Sequence, residues 1–263
     1  MRIPFTKRPP VIPFIRLEGL IAAGRGGLFG GALNLSAVNA RLERGFGMKR
    51  APAVFLGINS PGGSPVQSSL IAGRIRQLAT QHDKRVVACV EDAAASGGYW
   101  IACAADEIIA DPASILGSIG VISAGFGAQD ALARLGLERR MATAGDEKSF
   151  LDPFAPQRAE DTARQRELLD ALHEEFKAWV RSRRPLRAPE EQLFTGRFWT
   201  GRQAVELGLA DGLGDAHSEA RRRFGDDATL LPIGTKRRRF PFSLLGDAAA
   251  ALEERAAWAR LGL

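Results

Sequence analysis

The chain is short of cysteine, methionine, histidine and tyrosine, and the shortages narrow what it can be. Two cysteines among 263 residues, Cys89 and Cys103, cannot make a disulfide framework. They stand singly in apolar runs without the paired spacing of a zinc site, and read as buried free thiols. No uninterrupted apolar run reaches the length of a membrane span. The N-terminus, MRIPFTKRPPVIPFIRLEGLI, starts basic and then apolar, but Pro9, Pro10 and Pro13 break the stretch and Arg16 and Glu18 charge it. No signal-peptide core survives those breaks. There is no internal repeat and no low-complexity linker. The three histidines, His82, His173 and His217, lie in polar segments away from any glycine turn, which disfavours a Ser-His-Asp triad. The G-x-S-x-G elbow of many hydrolases is absent.

What remains is an ordinary globular composition, 45% apolar and 25% charged, long enough to bury a core without staples. The net charge of +6 comes mostly from arginine, clustered at 181–187, 221–223 and 236–239. Aromatic residues do not interleave with the first two clusters, and no nucleic-acid module is present. The clusters read as solvated surface, with weak attraction to an anionic membrane surface as the sharper alternative.

Along the chain, residues 11–19 read as a strand, 24–31 as a Gly-rich loop and 33–44 as a helix. AVFLGINS at 53–60 is a buried strand that ends in the turn PGGS. Residues 66–81 have helical spacing, with Leu70, Ile71, Ile75 and Leu78 on one face. The pattern repeats as a strand at 84–92, a turn and small-residue helix at 93–105, and a short strand at 107–111. A long amphipathic helix at 156–184 follows, and another at 199–208 closed by Gly208. Strand, turn, helix and strand in repetition argue for βαβ units and a mostly parallel sheet. The Ala- and Leu-rich tail from Phe240 has three readings: docking on the core, contacting another subunit or fraying.

Two turns that follow buried strands are rich in glycine: Asn59-Ser60-Pro61-Gly62-Gly63-Ser64 and Ala95-Ser96-Gly97-Gly98-Tyr99. Glycine admits positive φ and close approach to the backbone, and a helix starting there points free N–H groups outward. Such a turn can hold an anionic oxygen, although either one alone also suits plain βα turn chemistry. Ser96 alone suits a helix N-cap as well as a nucleophile. A nucleophilic serine needs a base, and a lysine serves if it is neutral when it takes the proton. In this lysine-poor chain Lys148, in AGDEKSFLDPF, stands out, although viewed alone it reads as a surface lysine.

Together, NSPGGS, DAAASGGYWIACAADEIIADPASILGSIGVI, AGDEKSFLDPF and FTGRFWTGRQAVELGLADGLG strongly resemble the signal peptide peptidase A (protease IV and SohB) family of Ser-Lys peptidases. The matched stretches run in family order from about Val54 to Gly214. The resemblance implies Ser96 as nucleophile, Lys148 as base and Ser118 as a contact of the lysine amine. It implies an oxyanion hole from the Gly63 and Gly97 N–H groups, and a strand through Ile119 and Val121 bordering the substrate cleft. It further implies an α/β, crotonase/ClpP-like fold of repeated ββα units with a helical C-terminal segment. The peptidase domain would span 1–214, with an oligomer-contacting helical extension at 215–263. Implied partners are extended peptides, signal-peptide remnants among them, and further copies of the chain in a ring-like homo-oligomer with active sites at subunit contacts. No metal, cofactor or nucleic acid is called for. Family members mostly carry an N-terminal membrane anchor, which is not legible here, so the expected place is the cytoplasm, at most peripheral to the membrane. Two rivals share parts of the pattern: a crotonase-class acyl-CoA enzyme, and a catalytically silent scaffold of the same fold.

Overall fold

A computed structural model describes residues 9–24, 32–234 and 254–263. Most of the Gly-rich loop read at 24–31, the basic cluster at 236–239 and most of the tail lie outside the described residues. The chain divides into two compact units, Val121–Glu175 and the remainder.

The larger unit is a mixed α/β structure built on one sheet. Its first elements are β1 (Val11–Glu18), α1 (Leu35–Phe46), β2 (Ala53–Ser60), α2 (Pro65–His82), β3 (Arg85–Ala95), α3 (Gly97–Ala102), β4 (Glu107–Ala110) and β5 (Ile115–Gly117). Helix α4 (Gln129–Arg134) belongs to the smaller unit, and α5 (Ala159–Arg183) joins the larger one from Phe176 onward. Then come α6 (Glu190–Leu193), β6 (Phe198–Thr200), α7 (Gly201–Glu206), β7 (Gly212–Leu213), α8 (Ala216–Phe224) and β8 (Thr229–Pro232). The main strand order is β6-β5-β3-β2-β1-β8, with β4 beside β3 and β7 beside β4. Every pairing is parallel except β5 with β6.

Parallel strands are covered on both faces, so their sequences are nearly continuous apolar runs. In β2, Val54, Leu56 and Ile58 join the cluster that also holds residues of α1, α2 and α3. The alternate residues Ala53 and Phe55 join a second cluster with Ile12, Val87, Cys89, Ile109 and Ala220 of α8. This alternation is the two-residue period of a strand read on both sides of one sheet. Helix α2 begins with Ser64, whose side chain accepts from the Gln67 N–H, and with Pro65 in its first turn.

Three local expectations shift. Leu70 is 45% exposed, and Ser68 rather than Leu70 completes the buried stripe with Ile71, Ile75 and Leu78. The buried face runs through Ser68, Ile71, Ala72, Ile75, Leu78 and Ala79, so it extends from Ile71 toward Ala72 and away from Leu70. Trp199 belongs to β6, not to a helix. The Thr200 and Gln203 side chains form a reciprocal cap that starts α7 at Gly201. Strand β3 runs on through Ala95, because Ala93, Ala94 and Ala95 pair with Ile115, Leu116 and Gly117. Past residue 214 the described chain is not helical alone: α8 is followed by β8, which pairs with β1.

The smaller unit is held by its own contacts. The Ala128 N–H donates to Pro153 O at 2.6 Å, and Gln165 Nε2 donates to Ser123 Oγ at 2.8 Å. Arg139 pairs with Asp152 at 2.9 Å and lies over the Phe154 ring. Helix α4 buries none of its residues.

Candidate active site

Two strand ends bring the glycine turns together. Strands β2 and β3 are parallel neighbours, so their C-terminal ends open on the same edge of the sheet. Ligands of open α/β sheets bind at such edges. Ser96 sits between β3 and α3 with φ 51° and ψ −119°. A non-glycine residue in the positive-φ region is strained and persists only where its surroundings impose it. Here the Ser96 N–H donates to Gly117 O at 2.8 Å and the Ser96 carbonyl accepts from the Trp100 N–H at 3.0 Å. The hydroxyl does not cap α3 and the residue is half-buried, which leaves Oγ for other partners.

The first turn is pressed against this elbow. A Cβ built on Gly62 would lie 2.8 Å from Ala95 O and 2.8 Å from Ser96 Cβ. Gly63 has φ 138° and is exposed. Around it the Ile21 N–H donates to Gly62 O and the Ser64 N–H donates to Ile21 O, which turns the Gly63 amide off that ladder. Gly97, the first residue of α3, has no carbonyl one helical turn back to accept its N–H. A Cβ on Gly97 would stand 3.4 Å from the Gly63 nitrogen and 2.3 Å from Ser68 Oγ. One small region therefore holds a half-buried serine hydroxyl and two backbone amides on glycines, which is the raw material of acyl transfer.

The elbow stands on rigid neighbours. Tyr99 is fully buried and its hydroxyl donates to Leu209 O at 2.8 Å. Burial, the largest cause, pushes that phenol well up from its ordinary range. The Trp100 ring stacks on Phe176 with centroids 4.7 Å apart, and Trp179 Nε1 donates to Trp100 O at 2.9 Å. Such packing fixes α3 and with it the serine at its head.

Residues 79–229 match the model of Peptidase family S49. The chain belongs to peptidase family S49, the SppA/SohB family. SohB of Haemophilus influenzae, named a protease, is 31% identical over 62% of this chain and 46% of its own length. A protein named a protease in Synechocystis sp., slr0021, is 34% identical over 71% of this chain and 68% of its own. The Na(+)/H(+) antiporter NhaA of Brucella abortus is 47% identical over 96% of this chain, which spans 37% of that longer protein.

Of the residues singled out in this S49 chain, Gly63, Ser96 and Gly97 come together in the larger unit. Ser118 stands one residue past the carbonyl that holds Ser96. It is half-buried with φ 52°, and its N–H donates to Arg197 O at 2.7 Å. The strand expected through Ile119 and Val121 ends earlier, at Gly117. Positive φ at Gly117 and Ser118 breaks the extended backbone there, and the Ile119 side chain is buried in the core. Val121 and Lys148 belong to the smaller unit. Lys148 is exposed there, in a turn where its N–H donates to Gly145 O at 3.2 Å. Sequence reasoning gave Ser68 and Ile21 no part in the site, and Asn59 none beyond its place in the turn, although all three shape its surroundings. Ser68, four residues after Ser64, carried a signal only as a polar residue on the buried side of a helix.

Proposed function

We propose that the chain is a serine endopeptidase that works through a Ser-Lys dyad and an acyl-enzyme. The observation that carries the reading is Ser96 held at positive φ against the Gly62-Gly63 turn, beside the Gly97 amide. Family membership supports peptide hydrolysis as the reaction. Ser96 Oγ attacks the peptide carbonyl carbon while neutral Lys148 takes its proton. The carbonyl electron pair moves to oxygen, where the Gly63 and Gly97 N–H groups stabilise the negative charge. Loss of one such donor typically costs about 10²–10³ in rate. Lys148 returns the proton to the leaving amine as the C–N bond breaks, and water then attacks the ester carbon to free Ser96. Ser118 orients the lysine amine.

The finer fold is a crotonase/ClpP-like arrangement of ββα units, a reading supported by the parallel sheet and the helices that follow β2 and β3. Substrates are extended peptides with small or apolar residues near the cut, in reach of the segment through Ile119 and Val121. The working form is a homo-oligomer with sites at subunit contacts, where Lys148 of one copy serves Ser96 of another. Exposed apolar side chains in the smaller unit favour such burial: Phe126 is 95% exposed, and Ile122 and Leu135 are each 72% exposed. The peptidase works in the cytoplasm at the membrane surface. Its basic charge suits anionic lipid, and a long Brucella relative carries an antiporter's name. Among the described residues no helix is long and apolar enough to cross a membrane.

The test is hydrolysis of fluorogenic peptides by Ser96→Ala and Lys148→Ala chains, alone and co-refolded. Each alone should be inactive, and the mixture should regain a fraction of activity through interfaces that join intact partners. Turnover by Ser96→Ala alone would remove the nucleophile. A silent mixture with co-assembly verified by mass would confine the dyad to one chain.

A further inference from the structure

Strand β3 changes partner partway along its length. Its lower part, Val87 to Val90, pairs with β4, and its upper part, Ala93 to Ala95, pairs with β5. On the other side, against β2, the register slips at the same place. Ile58 lies opposite Val90, but Ser60 lies opposite Ala94, so Asn59 alone faces Glu91, Asp92 and Ala93. A bulge of this kind bends a strand and leaves backbone groups without ladder partners. Side chains supply them here. Asn59 Oδ1 accepts from the Ala93 N–H at 3.1 Å, and Asn59 Nδ2 donates to Asp92 Oδ2 at 2.7 Å. From the opposite side the buried Ser114 hydroxyl donates to the carbonyl of Glu91 and, at 3.3 Å, to that of Val90. Arg16 forks onto the Glu91 carboxylate, with Nε to Oε1 at 3.1 Å.

The bend lies three residues before Ser96, and the stub beyond it is only Ala93-Ala94-Ala95. These alanines pair with Ile115, Leu116 and Gly117 of β5, and the bend sets the direction in which they enter that pairing and so contributes to the angle at which Ser96 meets the Gly62-Gly63 turn. We infer that Asn59 is a positioning residue of the nucleophile: by closing the Ala93 N–H and anchoring on Asp92, it holds the upper part of β3 in the direction that brings Ser96 onto the Gly63 and Gly97 amides. Ser114 braces the same bend from the β5 side. This role rests on Ser96 being the nucleophile, but the bend itself does not. Misplacing reacting groups by about 1 Å can cost about 10²-fold in rate. Substrate contacts elsewhere are untouched, so the loss should fall on kcat and not on KM.

The experiment measures kcat and KM for peptide hydrolysis, thermal stability, and amide hydrogen exchange across residues 85–97. Asn59→Ala should lower kcat about 10- to 100-fold with KM within about twofold. Faster exchange should be confined to the amides from Ala93 to Gly97. The reciprocal exchange, Asn59→Asp with Asp92→Asn, keeps both hydrogen bonds with the Nδ2 donor moved to position 92, and should restore kcat to within about threefold of wild type. Ser114→Ala releases the bend from the other side and should lower kcat in the same way, which keeps the idea testable if Asn59→Ala fails to fold. A folded Asn59→Ala or Ser114→Ala with normal kcat overturns the role, as does a reciprocal exchange no better than Asn59→Ala. A lower melting temperature with unchanged kcat below it also overturns it, since that is what simple structural support would give. If the wild-type chain hydrolyses no peptide, the peptidase reading fails, and local exchange at Ala93 to Gly97 still decides whether Asn59 holds the bend.

Discussion

Replacing Gly97 by alanine tests a close side-chain packing in the site. Gly97 has ordinary helical backbone, so a Cβ brings no conformational strain of its own. What it meets is Ser68 Oγ at 2.3 Å and Ile21 Cδ1 at 3.1 Å. The Ile21 methyl needs to give by a few tenths of an ångström, whereas Ser68 Oγ has to leave. Ser68 is fully buried and its hydroxyl donates to Ser64 O at 2.8 Å. Overpacking a closed site by one methyl costs about 1–3 kcal/mol. For a domain of this size that lowers the melting temperature by about 2–12 °C. Ser68→Ala removes the obstacle and loses one hydrogen bond worth about 1 kcal/mol. Ser64 O keeps a partner in that variant, because the Ser68 N–H donates to it at 3.1 Å. The double variant should therefore be more stable than the sum of the singles by about 1–2 kcal/mol, the interaction energy expected of directly touching residues. It should also regain much of the activity lost in Gly97→Ala, since alanine keeps the backbone N–H. The assay is a double-mutant cycle from guanidinium midpoints at constant slope, with kcat measured on the same four proteins. Additive effects within about 0.5 kcal/mol would refute the contact and with it the fit of α2 against the head of α3.

Acid should weaken the far end of the sheet. Arg223, bonded to both oxygens of Glu107, and then Arg85 hold that carboxyl down from 4.5 to about 2. A depressed carboxyl contributes stability that is full above its ordinary value and is lost as pH falls through the folded value. Urea midpoints should thus decline from about pH 4.5 toward pH 2 less steeply in Glu107→Gln than in wild type, and identical slopes would refute the pairing. Both cysteines should resist thiol reagents in the folded protein at pH 8, because burial pushes Cys89 and Cys103 up to about 12, and labelling should appear only with unfolding. Rapid labelling of native protein would overturn their burial. Gly63→Ala should cost both fold and rate: its Cβ would lie 2.0 Å from the Ile21 carbonyl oxygen, and only backbone movement can relieve that. A Gly63→Ala protein with wild-type stability and kcat would show that the turn is not held as described.

Much of the larger unit was legible because its information is local. The strand at 53–60 is an apolar run bounded by Pro52 and the PGGS turn, and it appears at those residues as β2. The helix between the two turns has its serine cap and proline start written in sequence, and it falls at Pro65–His82. Ser96, Gly63 and Gly97 were visible as glycine punctuation after buried strands, and the structure gathers them on one edge because the strands are parallel neighbours. Strands β5, β6, β7 and β8 were not read. They are two to four residues long, too short for any periodicity to show, and exist because another strand lies beside them.

What sequence alone determined is the chemistry on offer: a serine at a strand-to-helix turn, glycines that admit close approach, and too few well-placed histidines for the usual triad. What only tertiary structure decided is direction. The positive φ of Ser96 held by Gly117, the contact of Gly97 with Ser68 and the bend of β3 at Asn59 depend on residues 21 to 33 positions apart in the chain. A hydrogen bond such as that from Asn59 to Asp92 leaves no trace in local propensity, because neither residue carries a preference for the other until two parallel strands set them side by side.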